Sequence, residues 1–304
     1  MRNVKVCVIR TAGTNCDKET AFAFVKAGAE VELVHINNFI QGGKGLADYH
    51  ILALPGGFSY GDDIASGKVF ANELRCKLSE DLRKFVRDGK LIIGICNGFQ
   101  ILVKSGLLPG IRPNRIGRYA PLRSNADFEQ EASLIINDSG KFEDRWVYLK
   151  GQKAQKCVWT KNLPEVIYLP VAHGEGKFIV KDEAVLNRLK KNNQVAFKYC
   201  DAKGKQGGYP ANPNGSLEDI AGICDETGRI FGLMPHPERH ISVCQHPRWF
   251  TPLETMRPRG STAACGSLSL AGFNSKNKTG LPAGQAGDGL IIFKNGVEYA
   301  RKLL

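Results

Sequence analysis

The 304-residue sequence has no apolar run near the ~18–20 residues needed to cross a membrane, so no span is expected. It has no CxxC pair, and its nine cysteines are odd in number. A disulfide framework and a zinc site of the usual spacing are therefore not expected, and a reducing cytoplasm is. There is no GxxxxGKS/T phosphate loop and no GxGxxG between a strand and a helix. The opening "MRNVKVCVIR" carries no cleavage-site pattern, so no signal peptide is expected. Internal repeats are absent as well. What is present is ordinary for a soluble globular protein, with 42% hydrophobic and 24% charged residues. The net charge of +12 is spread along the chain, densest near 112–123 and 188–205, with no basic-plus-aromatic module. Nucleic-acid binding is not expected from that pattern. A basic face for an acidic partner, or a plain solvated surface, accounts for the charge.

The first hundred residues alternate in period. "KVCVIR", "VELVHI", "YHILALPGG" and "LIIGIC" read as strands. Between and after them, "KETAFAFVKAGAEV", "KVFANELRCKLSEDLRKFVRDGK" and "NGFQILVKSG" read as helices, the second one long and stopped by Gly89. Strands separated by helices imply βαβ units and a parallel sheet covered on both faces. From about 120 the runs shorten: "EASLIIND", "DRWVYLK", "VIYLPVAHG" and "KFIVKD" suggest an antiparallel elaboration centred on 120–165. "EDIAGICDETGRIFGLMPHPER" reads as a hairpin turning at Glu226–Gly228. Residues 252–289, rich in Gly, Ser, Ala and Pro, read as a flexible insertion within one domain spanning 1–304. The closing "LIIFKNGVEYARKLL" returns to helical spacing.

The strand "LIIGIC" runs into the helix through Gly94-Ile95-Cys96-Asn97-Gly98. A reactive side chain at a sharp strand-to-helix corner leaves little steric room, and glycines two before and two after it relieve the crowding. GxSxG hydrolases use the same spacing with oxygen in place of sulfur. The new helix would aim its positive end at the Cys96 thiol, and the Asn97 N–H would face an oxyanion. The alternative is that Cys96 is a small buried hydrophobe and the glycines serve packing. Cys16, in "GTNCDKE", also precedes a helix but lacks the glycine pair and is the lesser candidate.

A cysteine nucleophile needs a proton acceptor, and there are six histidines. His35 and His50 fall beside early strands, His240 and His246 have no obvious orienting group, and His173 sits in the glycine-rich "AHGEG". His236, in "MPHPERH", lies between prolines that exclude helix and favour extended backbone. Two residues on, Glu238 falls on the same side of an extended chain, where a carboxylate can hold the imidazole's tautomer.

"LPGGFSYGDD", "GICNGFQIL", "GLLPG", "VAHGEGKF", "NPNGSLEDIAGI" and "GLMPHPER" occur in one order over nearly the whole chain. Together they resemble the class I glutamine amidotransferases, and among these the glutaminase subunits of phosphoribosylformylglycinamidine synthase. The resemblance implies a flavodoxin-like three-layer α/β fold, with a mostly parallel sheet and a small antiparallel elaboration. It implies that Cys96 attacks the side-chain amide of L-glutamine, with His236 and Glu238 completing a triad. Gly57 and Asn97 would form the oxyanion hole, and Gln100, His173 and Gly174 would border bound glutamine. The "GTNCD" loop would lie near the site's mouth. No metal and no cofactor are expected in this chain. ATP and magnesium would belong to a large PurL-like synthetase subunit, acting with a small PurS-like subunit. That partner would use the ammonia to convert formylglycinamide ribonucleotide to its amidine in purine biosynthesis. The missing phosphate loop agrees with this division of labour. Two other readings stay open: a glutaminase serving another synthase, and a thiol-bearing sensor or scaffold of the same fold that would not turn glutamine over.

Overall fold

The computed structural model describes residues 3–110, 129–152, 156–247, 249 and 286–304. Three β-rich runs form adjacent buried strands, β1 (Lys5–Arg10), β3 (Ile51–Leu54) and β4 (Leu91–Ile95). With β2 (Glu30–His35) and β11 (Ile230–Leu233) they form the parallel half of a nine-stranded sheet, ordered β2-β1-β3-β4-β11-β10-β9-β6-β7. β3 and β4 expose no side chain to solvent, as a sheet covered on both faces requires. The other half is antiparallel: β10 (Ile220–Cys224), β9 (Val195–Cys200), β6 (Glu143–Gly151) and β7 (Val166–His173). β5 (Ala132–Ile135) and β8 (Lys177–Val180) pair separately.

Helices α1 (Asp17–Lys26), α2 (Ile36–Ile40), α3 (Lys68–Lys77), α4 (Ser79–Arg87), α5 (Asn97–Lys104), α6 (Glu183–Lys191) and α7 (Leu290–Arg301) accompany the sheet. Phe24 of α1 meets Phe293 of α7 edge-on, ring centroids 4.9 Å apart, so the last helix closes over the first. β1, β3, β4 and β11 all end at one edge of the sheet, and the three antiparallel steps beyond β10 return β7 to the same sense. The loops after Arg10, Leu54, Ile95, His173 and Leu233 therefore meet where α/β sheets place ligands.

Three features differ from expectation. The long helix ending at Gly89 is two helices, broken at Leu78 (φ −125°, ψ 16°). Glu80 and Asp81 open the second in the first turn, where acidic groups complement the helix dipole. Of the expected antiparallel elaboration, β6 and β7 extend the main sheet, whereas β5 and β8 pair apart from it. α6, capped by the Asp182 side chain on the Val185 N–H at 2.9 Å, and β9 were not anticipated. Of the expected elaboration and insertion, residues 120–128, 153–155 and 252–285 lie outside the described residues. No described helix is long and apolar enough to cross a membrane.

Candidate active site

Cys96 sits between the last residue of β4 and the first of α5 with φ 51° and ψ −107°, a conformation that L-residues rarely adopt. Its N–H donates to the Leu233 carbonyl (2.9 Å) and its thiol to the Ala172 carbonyl (3.6 Å). The glycine pair is a steric requirement. A Cβ on Gly94 would lie 2.5 Å from the Gly98 carbonyl oxygen, and one on Gly98 would lie 1.9 Å from the Leu54 carbonyl oxygen. The corner thus packs backbone on backbone, which is what lets α5 start directly beneath the sulfur.

His236 follows β11, its N–H donating to the Pro170 carbonyl (2.8 Å). Its Nδ1–H donates to Glu238 Oε1 at 2.6 Å, and both side chains are buried. His236 is extended as expected (φ −100°, ψ 93°), but Pro237–Arg239 form a 3-10 turn, so Glu238 reaches the ring by the chain curling back. Burial alone would lower the histidine's pKa. The Glu238 carboxylate, then the Cys96 and Cys16 sulfurs, override it and hold the imidazole well above its ordinary value.

Gly57 lies in the loop after β3 with φ 141°, hydrogen-bridged to Thr14; a Cβ there would sit 2.7 Å from the Asn15 nitrogen. Asn97 heads α5. Its amide donates to Gln100 Oε1 (2.9 Å) and to Asp62 Oδ1 (3.3 Å) and accepts from the Ser59 N–H (3.3 Å). Gln100 in turn donates from Nε2 to the Glu175 carbonyl at 2.6 Å, which ties α5 to the loop after β7. His173 is buried between two asparagines: Nδ1 lies 3.1 Å from Asn137 Oδ1, and Nε2 lies 3.4 Å from Asn214 Nδ2. The amide donor of Asn214 fixes Nε2 as the acceptor and Nδ1 as the protonated nitrogen. Burial, reinforced by the charge of His236, pushes the His173 pKa down to about 4, so it is neutral. Gly174 accepts from the Asn137 N–H at 3.0 Å.

Several residues of this network were not singled out in the sequence. Asn137 holds the 173–176 loop through the His173 carbonyl (2.8 Å) and the Gly176 N–H (2.9 Å). Lys104 is buried and donates to the Ser66 carbonyl (2.6 Å) and the Glu175 carboxylate (3.4 Å), while Asp62 accepts from the Ser66 hydroxyl (2.9 Å). Only Lys104 left a local trace, a charge on an otherwise uncharged helix. The lesser candidate, Cys16, lies beside His236: a Cβ on Gly56 would be 2.7 Å from His236 Cε1 and 3.1 Å from Cys16 Sγ. Burial pushes the Cys16 thiol up to about 11.

A buried cysteine at a strained corner, with a carboxylate-oriented histidine beside it, is the arrangement of a cysteine-dependent acyl-transfer site. Residues 3–300 match the model of the CobB/CobQ-like glutamine amidotransferase domain, and the chain belongs to that family. Similar curated proteins carry a narrower description. The chain is 46% identical over 304 residues to the phosphoribosylformylglycinamidine synthase subunit PurQ of Dehalococcoides mccartyi, covering all of both chains. It is 44% identical over 300 residues to that subunit of Methanococcus maripaludis, covering 98% of each. Among solved structures it resembles one of PurLQS from Thermotoga maritima, with TM-score 0.61, 32% identity, and coverage of 82% of this chain and 94% of that one. These relatives place it among the PurQ subunits.

Proposed function

We propose that Cys96, His236 and Glu238 form the catalytic triad of a glutaminase subunit of phosphoribosylformylglycinamidine synthase. The Cys96 thiol gives its proton to His236, and its sulfur attacks the side-chain amide carbon of glutamine. The N–H groups of Gly57 and Asn97 receive the tetrahedral oxyanion, and the imidazolium of His236 delivers its proton to the departing ammonia. The γ-glutamyl thioester is then cleaved by water that His236 deprotonates, releasing glutamate and restoring the thiol. Glu238 orients the imidazole and stabilises its charged form through both proton transfers. Gln100, His173 and Gly174 shape the wall that borders the amino-acid end of the substrate, with Asn137 and the Lys104–Glu175 pair holding that wall in place.

The observation that carries the reading is the His236–Glu238 hydrogen bond at 2.6 Å beside a cysteine with φ 51°. It argues for an acyl-transfer centre over a passive thiol, since a buried carboxylate on a buried imidazole would otherwise be a costly arrangement. The ammonia goes to a PurL-like synthetase subunit, with a PurS-like subunit completing the assembly, and amidates formylglycinamide ribonucleotide in purine biosynthesis. ATP and magnesium act on that partner, this chain carries no cofactor for the chemistry, and the work is done in the cytoplasm. Rapid quenching of the chain with glutamine and its partner tests the site directly. Mass spectrometry should find a single glutamyl adduct on the peptide containing Cys96; glutamate formation with an adduct elsewhere would refute the assignment.

A further inference from the structure

Four donors from two separate parts of the chain converge, two of them the histidine and carboxylate of the proposed triad. They are Cys16 and Glu19, from the loop after β1 and the first turn of α1, and His236 and Glu238, from the turn after β11. Their ligating atoms all lie within 4.8 Å of one another. One thiol, one imidazole and two carboxylates form a set suited to a borderline-soft, four-coordinate divalent ion, zinc above all. A second observation points the same way. His236 Nε2 and Glu238 Oε2 are buried polar atoms without a hydrogen-bond partner, on side chains only 2% and 0% exposed.

The cluster is already organised around positive charge. Arg239 bridges it, donating to Cys16 Sγ at 3.2 Å and to Glu19 Oε1 at 2.9 Å. Arg239 and Glu19 are both about one-third exposed, at 35% and 36%, so the guanidinium can swing to solvent and open a path to the donors. An ion taking its place replaces one cation by another.

We propose that Cys16, Glu19, His236 and Glu238 form an inhibitory site for a thiophilic divalent cation, with Zn²⁺ the best-matched ion. This rests on the glutaminase reading, because the inhibition follows from capturing His236. On binding, the Cys16 thiol gives its proton to solvent and a sulfur–metal bond forms; no electrons are exchanged. Capture through either ring nitrogen disables the histidine. A metal on Nδ1 displaces the proton held by Glu238; a metal on Nε2 displaces the imidazolium proton there to solvent and occupies the lone pair that serves the nucleophile.

The experiment uses the full chain and cobalt as a spectroscopic stand-in for zinc. In the Cys96→Ser variant the catalytic sulfur is gone, and Co²⁺ should still produce a thiolate-to-cobalt absorption band at one equivalent. That band should vanish in Cys96→Ser with Cys16→Ser. Adding Glu19→Gln to Cys96→Ser, a change at the exposed rim, should weaken cobalt binding at least about tenfold. With the partner present, Zn²⁺ should inhibit glutamine hydrolysis reversibly on chelation. Measured against its own zinc-free rate, Cys16→Ser should need at least about tenfold more zinc for half inhibition. A band that survives loss of Cys16, or zinc inhibition that Cys16→Ser does not relieve, would overturn the proposal and place the ion on Cys96 or a surface thiol. The cobalt band does not depend on turnover, so a failed glutaminase reading would be seen separately.

Discussion

Replacing Cys96 by alanine and by glycine separates the strain of the corner from the chemistry of the sulfur. Both variants lose the thiol, so their difference in stability isolates one Cβ. At an ordinary buried position, alanine to glycine loses about 0.8 kcal/mol for a buried methyl group, and roughly another 0.5–1 kcal/mol from the freer unfolded chain. That sums to about 1.5 kcal/mol against glycine. At φ 51° and ψ −107° a non-glycine residue also carries about 1–3 kcal/mol of strain, which glycine lacks. The two effects oppose each other, so Cys96→Gly should lie between about 0.5 kcal/mol below and about 1.5 kcal/mol above Cys96→Ala in stability. Ala53 supplies the control, since it is fully buried in β3 and has ordinary strand conformation. Ala53→Gly should lose the ordinary ~1.5 kcal/mol or more. Urea midpoints of the variants, measured in one buffer, give the comparison. If Cys96→Gly falls below Cys96→Ala by the same amount as the control falls below wild type, the corner is unstrained and the elbow argument fails.

Glu238→Gln keeps the shape of the pair and removes its charge; glutaminase kcat should fall at least about a hundredfold. The same substitution has a signed pH effect. The fold raises the His236 pKa, so the stability this contributes is complete below the unfolded value of about 6.5 and is lost as pH climbs through the raised one. The melting-temperature gap between wild type and Glu238→Gln should therefore be widest near pH 6 and narrow at alkaline pH; a gap that widens with pH would contradict the assignment. His173 behaves oppositely: its C–H resonance should titrate near 4, and a midpoint of 6–7 would show that it is not buried neutral. Glu175→Gln leaves Lys104 short of its counter-charge and loosens the 173–176 loop. It should cost about 2 kcal/mol and raise the glutamine KM more than it lowers kcat, as steady-state kinetics would show. Gly98→Ala drives a Cβ to 1.9 Å from the Leu54 carbonyl and should lose at least about 3 kcal/mol on denaturant unfolding; a near-neutral change would mean that β3 and α5 are not so closely packed.

The parts of the site that could be read from sequence are those whose geometry is local. Gly94, Cys96 and Gly98 fall within five consecutive residues of one corner, and His236 and Glu238 are two residues apart, so backbone sterics and side-chain reach suffice to relate them. Gln100 is related to Asn97 by one helical turn in the same way. The Lys104–Glu175 contact joins residues 71 apart, and Asn137 meets His173 across 36. Nothing in the immediate neighbourhood of either residue records its partner. The proximity of Cys16 to His236 is hidden for the same reason, because it depends on β1 and β11 ending at the same edge of the sheet. The helix break at Leu78 escaped because Leu74, Leu78 and Leu82 keep one apolar face in register through it, and all three are buried. Periodicity reports which face is buried and is blind to a backbone that turns without losing phase.

The central claim is that Cys96, oriented against His236 and Glu238, hydrolyses glutamine for a synthetase partner. Glutamate release by the full chain and by Cys96→Ala, each with and without a PurL-like and PurS-like partner, measures it most directly. Slow release by the chain alone, strong stimulation by the partner and no release from Cys96→Ala are the predicted results. Partner-stimulated release that persists in Cys96→Ala, or no release under any condition while Cys96 remains reactive to a thiol probe, would contradict the claim.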